Sequence, residues 1–219
     1  VKLTRRLYQH LGKNELSKAA GVLQPYLQEP LEKVDMHGMV RKAIEFIAAS
    51  LNRFLAAPAF WFLLTGFAGL ALYTTCAALQ QAFGMTDERR KYFGRAARNI
   101  DTLLNIVPSF LTALLLAVSA LFVSRARPLR AGRTIFRRAR GYRPAYLVWP
   151  VAAAAGGLGV TLGGPVRYSA DYVEERPWIG PQDSSARLMP EDLARAGMLQ
   201  YVFFLCVLGI ISALLILAI

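Results

Sequence analysis

Apolar residues in this chain come in long blocks rather than in short alternating runs. Four blocks carry no charged residue: Pro58–Phe83, Ile106–Val123, Leu147–Pro165 and Leu199–Ile219. Uncharged blocks of about 18 residues or more have the length of a membrane-crossing helix. The pattern predicts an all-α, polytopic transmembrane domain with about four spans. Upstream, the texture changes. "DMHGMVRKAIEFIAASLNRFL" places Met36, Val40, Ile44, Ile47 and Leu51 on one stripe at helical spacing, which predicts an amphipathic helix. The polar stretch "QEPLEK" and Pro58 are expected to bound it. Asn14 is the candidate N-cap of a shorter helix before it. The division that follows is residues 1–57 as an amphipathic helical N-terminal segment and 58–219 as the transmembrane domain.

The block Leu147–Pro165, "LVWPVAAAAGGLGVTLGGP", is unusual for a span, with five glycines, two prolines and four consecutive alanines. Small residues let helix backbones approach closely. Gly156, Gly157 and Gly159 are therefore expected to be packing positions, and Gly156 and Gly159 also permit a break in the helix.

Composition agrees with a membrane protein: the chain of 219 residues is 55% hydrophobic with a mean hydropathy of +0.34. The net charge of +12 gains meaning from its location. Ser124–Tyr146 holds eight arginines, Arg125, Arg127, Arg130, Arg133, Arg137, Arg138, Arg140 and Arg143, and no acidic residue. A basic loop between apolar blocks marks the cytoplasmic side and faces anionic lipid headgroups, not nucleic acid. With four crossings, this loop lies inside and the segment 165–198, with four arginines against six acidic residues, lies outside. Trp178 in that segment is expected to be an interfacial anchor.

Chemistry-bearing motifs are sparse. There is no P-loop, dinucleotide fingerprint, nucleophile motif or metal-binding histidine pair. Cys76 and Cys206 lie inside apolar blocks and behave as small apolar residues, and His10 and His37 are isolated. No metal site is expected. The unusual polar residues flank the first two spans: Glu45, Asn52, Gln80, Gln81, Glu88, Asp101 and Asn105. Arg89, Arg90, Arg95 and Arg98 accompany them, more readily as a self-compensated ion-pair network along a helix than as an anion site.

The ordered motifs "DERRKYFGRAARNIDTLLNIVPSFLTALLL", "VWPVAAAAGGLGVTLGGP", "VEERPWIG" and "PEDLARA" resemble the CobD/CbiB family, the adenosylcobinamide-phosphate synthases, from about Glu45 to the C-terminus. "LNRFLAAPAFWFLL" is also distantly similar to the AmpE inner-membrane proteins. The resemblance implies a multi-pass protein of the bacterial inner membrane. Members carry a further hydrophobic N-terminal portion that this sequence does not show. The family reaction is an ATP-dependent amide ligation joining adenosylcobyric acid to aminopropanol or its phosphate.

The departures from the family pattern fall on polar positions. The family segment E-x-x-A-E-N-x-x-D-G-x-x-A-P reads "EFIAASLNRFLAAP", with Ala49 and Ser50 for Glu-Asn and Arg53 and Phe54 for Asp-Gly. The segment N-T-x-D-S-M-x-G reads "AALQQAFG", with Ala77 for Asn and Gln80 for Asp. Phe110 stands at an arginine position, and Tyr146-Leu147-Val148 replace Asn-Ala-Gly. Alanine neither ligates magnesium nor accepts a proton. The expectation is a non-catalytic family member without cofactor, serving as an accessory subunit or regulator among membrane lipids and other membrane proteins. The alternative is an active synthase using ATP and Mg, with Glu45, Glu88, Tyr92, Asp101, Asn105 and Trp149 as the matching residues; a corrinoid-binding protein without ligase activity lies between the two.

Overall fold

The structure is a computed structural model describing residues 2–27, 29–32, 34–83, 91–136, 144–167 and 173–217. Eight α-helices occur among them: α1 (Lys2–Gly12), α2 (Leu16–Leu23), α3 (Met36–Leu51), α4 (Ala57–Phe83), α5 (Lys91–Ser119), α6 (Pro128–Ile135), α7 (Val148–Leu158) and α8 (Pro190–Leu217). Four two-residue strands, β1 (Leu162–Gly163), β2 (Val166–Arg167), β3 (Val173–Glu174) and β4 (Trp178–Ile179), form two antiparallel pairs, β1 with β4 and β2 with β3. The all-α expectation holds. Three helical stretches are long and apolar enough to cross a membrane, Met36–Ala82, Gly94–Phe122 and Pro190–Leu214, and a shorter apolar one covers Ala145–Leu158.

The N-terminal boundaries differ from the sequence reading. Asn14 is not a cap: it adopts a left-handed turn conformation, φ 58°, and α2 begins after Glu15 without a side-chain cap. Asp35 caps α3 instead, accepting the Gly38 N–H at 2.9 Å. Nor does Pro58 end a helix. α3 runs through a π-helical turn, Asn52–Ala56, directly into α4, where Pro58 is the second residue. Within this continuous run Pro58 has no N–H to offer the preceding turn, and the Arg53 carbonyl, five residues back, accepts the Tyr73 hydroxyl. The division at 57/58 falls inside this continuous run. Four residues of the α3 stripe, Val40, Ile44, Ile47 and Leu51, are buried, with Met36 partly buried against the core, but Met39, Ala43 and Ala48 are buried too. α3 is thus a core helix touching α7 and α8 rather than one docked on a surface.

The block Pro58–Phe83 is not one straight crossing. Gly66 has φ 67° and ψ −148°, a backbone state open to glycine and strained for other residues. There the helix reverses. Arg53 donates from Nη2 to the Ala77 carbonyl at 3.0 Å and to Gln80 Oε1 at 2.9 Å, while the Tyr73 hydroxyl donates to the Arg53 carbonyl. In an unbroken helix, 24 residues separate Arg53 from Ala77 by roughly 36 Å.

The fourth block also departs from a full span. α7 has eleven residues, about 16 Å of helix against a hydrocarbon layer of about 30 Å. It ends in a left-handed cap at Gly159, φ 71°, whose N–H bonds the Ala155 carbonyl, the usual glycine C-terminus. Its residues from Pro150 to Leu158 are all buried. Gly156 is the closest point: a Cβ there would sit 2.6 Å from both the Arg130 carbonyl and Thr134 Oγ1 of α6. At Gly157 the nearest atom would be Ala120 Cβ at 3.4 Å, an ordinary contact. The close-packing reading of this segment holds.

Because α7 stops short, the basic segment and the polar segment lie on the same face, correcting the opposite-sides expectation. Arg130 pairs with Asp183 at 2.7 Å, and that bond holds the Asp183 carboxyl below its ordinary range. Arg195 Nη2 donates to the carbonyls of Arg125 and Leu158, each at 3.0 Å. The start of α3 joins this face: His37 Nδ1 lies 2.7 Å from the Leu188 carbonyl, and Arg41 donates to the Ala186 carbonyl.

Gly156→Ala should lower the unfolding temperature in detergent, with overpacking costing about 1–3 kcal/mol, whereas Gly157→Ala should leave it nearly unchanged. Equal effects from the two would refute the close approach at Gly156.

Candidate functional site

A chain of buried polar groups joins α3, α4 and α5 within the apolar layer. It begins at Asn52, fully buried in the π-helical turn. Asn52 Nδ2 donates to Asn105 Oδ1 at 3.0 Å, and the Thr112 hydroxyl donates to Asn52 Oδ1 at 3.1 Å. The Tyr73 hydroxyl reaches Asn105 Oδ1 at 3.2 Å. Asn105 Nδ2 donates to the Asp101 carbonyl at 2.8 Å and to Asp101 Oδ1 at 3.2 Å. The Tyr146 hydroxyl completes the chain by donating to Asp101 Oδ2 at 2.9 Å. Polar groups removed from water and lipid headgroups are costly unless bonded. Here each named side chain has a partner, so the network locks three helices together.

The same accounting explains Pro108 inside α5. Proline has no N–H, which leaves the carbonyl four residues back unpaired. That carbonyl, of Leu104, accepts the Trp61 indole N–H at 3.1 Å. A side chain from α4 thus replaces the missing helical bond, as the absence of water in a bilayer requires.

A second polar cluster sits two turns back on α3. Glu45 Oε1 accepts the Gly163 N–H at 2.7 Å. Gly163 has φ 77°, and a Cβ there would strike the Pro177 carbonyl. Lys42 and Glu29 form a buried ion pair at 2.9 Å, and Arg176 bonds Glu174 at 2.8 Å. The Arg41 guanidinium lies over the Trp178 ring, 5.0 Å from its centroid, a cation–π contact. Trp178 is half exposed yet tied to the fold, with its ring also filling the space beside Gly164.

The sequence-predicted residues therefore divide. Asp101 and Asn105 meet directly, while Glu45 belongs to the other cluster, seven residues before Asn52, or about 10 Å along the helix. Trp149 joins neither: its ring stacks edge-on against Phe110, 5.9 Å between centroids, and Phe110 meets Phe136 at 6.4 Å. Glu88 lies outside the described residues, as do Arg89, Arg90, Arg137, Arg138, Arg140 and Arg143, and so does the side chain of Tyr92. Arg125, Arg127 and Arg133 are exposed, whereas Arg130 is partly covered. Tyr73 and the Lys42–Glu29 pair escaped the sequence reading, and Tyr146 entered it only as a departure from the family pattern. An isolated tyrosine in an apolar run carries no periodic signal of its hydroxyl's partner.

Of the positions that depart from the family pattern, Arg53 meets two others, bonding the Ala77 backbone and Gln80, whereas Tyr146 and Phe110 meet the retained residues Asp101 and Trp149. An apolar groove of about 160 Å³ opens between α4, α5 and α8 beside Thr112, lined by Phe60, Pro108, Leu111, Val207 and Ile210. Its carbon walls suit an apolar chain and offer no donor to a phosphate. Among the described residues no cluster of three or more metal-ligating side chains occurs.

Fold and site define a helical membrane protein with a polar network inside its apolar layer. The family model described as CobD/Cbib protein matches residues 1–200, and the chain belongs to that family. The match reaches back through α1 and α2, further than the motifs noted from Glu45 onward. The chain is 36% identical over 163 residues to the cobalamin biosynthesis protein CobD of Rhodobacter capsulatus, covering 74% of this chain and 49% of that protein. It is 38% identical to the CobD of Brucella suis, covering 65% and 44%. The CobD of Chromobacterium violaceum is 32% identical over 207 residues, covering 87% and 63%. The chain thus spans about half the length of the first of these relatives. No solved structure matches it.

Trp61→Phe should destabilise the protein by about 1–3 kcal/mol by orphaning the Leu104 carbonyl. In a Pro108→Ala background, where a backbone N–H is restored, the same substitution should cost measurably less. Additive costs in a double-mutant cycle of detergent unfolding would exclude the substitution of one donor for the other.

Proposed function

We propose that this chain is a family member that no longer performs the ligation and serves as an accessory subunit or regulator in a membrane assembly, in the bacterial inner membrane. The observation that carries the reading is the pairing of two departed positions, Arg53 and Gln80. Arg53 stands where the family pattern has an aspartate, and its guanidinium bonds Gln80, which stands at a second aspartate position. An arginine is fully charged and offers only donors. It replaces a place for a cation with a cation of the protein's own. Tyr146, at an asparagine position, occupies Asp101, and Phe110, at an arginine position, gives Trp149 an apolar neighbour. The changes to Arg53, Tyr146 and Phe110 exchange a polar group of the family pattern for a side chain with a partner inside the protein. No cofactor is part of this reading; its partners are other membrane proteins.

The surviving polar residues favour a second reading, an active adenosylcobinamide-phosphate synthase. Asp101, Asn105 and Glu45 remain and are held by the fold. That reading adds ATP and Mg, which this chain's remaining carboxylates would have to hold together with groups from Glu88 and Tyr92.

Complementation separates the two. A bacterial strain lacking its own synthase and carrying the full-length gene should show no cobalamin-dependent growth, with the protein confirmed in the membrane and an active synthase as control. Growth would move the assignment to the synthase. Restoring Ala49→Glu alone should likewise give no ligase turnover, because Arg53 still occupies the neighbouring aspartate position.

A further inference from the structure

We propose that α6 lies in the headgroup layer and binds an anionic phospholipid through Arg125, Arg127 and Arg133. The inference is independent of whether the chain is catalytic.

Placement comes first. The span Gly94–Phe122 ends six residues before α6 begins, so α6 starts at the edge of the apolar layer. Its orientation is fixed by packing. Ala131, Thr134 and Ile135 are buried, and α7 approaches their side at Gly156. Arg127 N–H bonds the Gly157 carbonyl at 2.8 Å, and Arg195 holds the Arg125 carbonyl, so the turn entering α6 is tied down as well. Arg125 sits in that turn with φ 60°.

The outward side mixes cations with bare apolar groups. Leu129 and Phe136 are 80% and 72% exposed, and Arg133 lies between them at spacings of four and three, which is one helix face. Leu121 and Phe122, at the end of the span, are exposed as well. Arg130 is taken by Asp183. Arg125, Arg127 and Arg133 form no salt bridge among the described residues, Arg127 reaching only the field of the Asp183 that Arg130 already binds, and residues 124–136 contain no acidic side chain. A cluster of unpaired cations alone fits any anion. Large apolar side chains interleaved with it fit a lipid: they enter the acyl boundary while the arginines reach up to the phosphates. Free phosphate gains nothing from Leu129 and Phe136. Each basic residue near an anionic surface contributes a favourable term, so preference for anionic over zwitterionic lipid should scale with these three charges.

The test uses the full chain purified from nanodiscs of phosphatidylcholine with 30 mole per cent phosphatidylglycerol, about a physiological anionic fraction, and native mass spectrometry of retained lipid. The wild type should retain phosphatidylglycerol over phosphatidylcholine beyond the input ratio. The triple variant Arg125→Gln, Arg127→Gln, Arg133→Gln should reduce that preference by at least about fivefold, and the corresponding lysine variant should keep most of it. A charge-matched control, Lys2→Gln, Arg5→Gln, Arg6→Gln on α1, should leave it unchanged, as should millimolar inorganic phosphate. An unchanged preference in the α6 glutamine variant overturns the proposal. So does an equal loss in the α1 control, which would make the effect one of net charge, or displacement by free phosphate, which would make the site an anion site without a lipid.

Discussion

Buried backbone and polar groups in an apolar layer have no water to turn to, and this constraint shapes nearly every contact of interest here. Pro108 leaves the Leu104 carbonyl without its helical donor, and Trp61 supplies one from another helix. Asn52 sits where the helix loosens into a π-helical turn and is bonded through both ends of its amide. Asp101 is held between Asn105 and Tyr146. Such bonds are worth little as sums and much as conditions, because breaking one leaves a group unpaired in a medium of low dielectric.

The Ala/Gly helix α7 solves a different problem by the same logic. Its last carbonyls, of Gly157 and Leu158, accept from Arg127 and Arg195, and its near-bare surface lets α6 come within contact of its backbone. With almost no side-chain volume from Ala152 to Gly157, it fits among α3, α5, α6 and α8. Its shortness then has a topological effect. A helix of eleven residues returns the chain to the face it came from, and the arginine-rich turn and the segment from β3 to the start of α8 become neighbours, joined by Arg130–Asp183 and Arg195.

At several positions where this chain differs from the family pattern, the side chain has a partner inside the protein. Polar positions spread over more than ninety residues of sequence are brought by the fold to shared places. There, Arg53 meets Gln80, Tyr146 meets Asp101 and Phe110 meets Trp149. Read one at a time along the chain, these are losses of carboxylates and amides. In space they are contacts.

The sequence by itself determined the helical class, the apolar blocks, the buried stripe of α3 and the packing role of Gly156, because block length, helical period and side-chain size are local properties of the chain. Composition could not say that the block after Pro58 folds back at Gly66, since a reversal in a helix depends on one backbone state and on the Arg53–Ala77–Gln80 bonds that hold it. Nor could it say that Leu147–Pro165 stops at Gly159, or that Asn14 is a turn residue rather than a cap. Glu45 and Asp101 were legible as unusual carboxylates in apolar surroundings. Which partners they take, the Gly163 N–H for one and Tyr146 for the other, was decided only by the tertiary structure, because hydrogen bonds join residues by distance in space and carry no trace in sequence spacing.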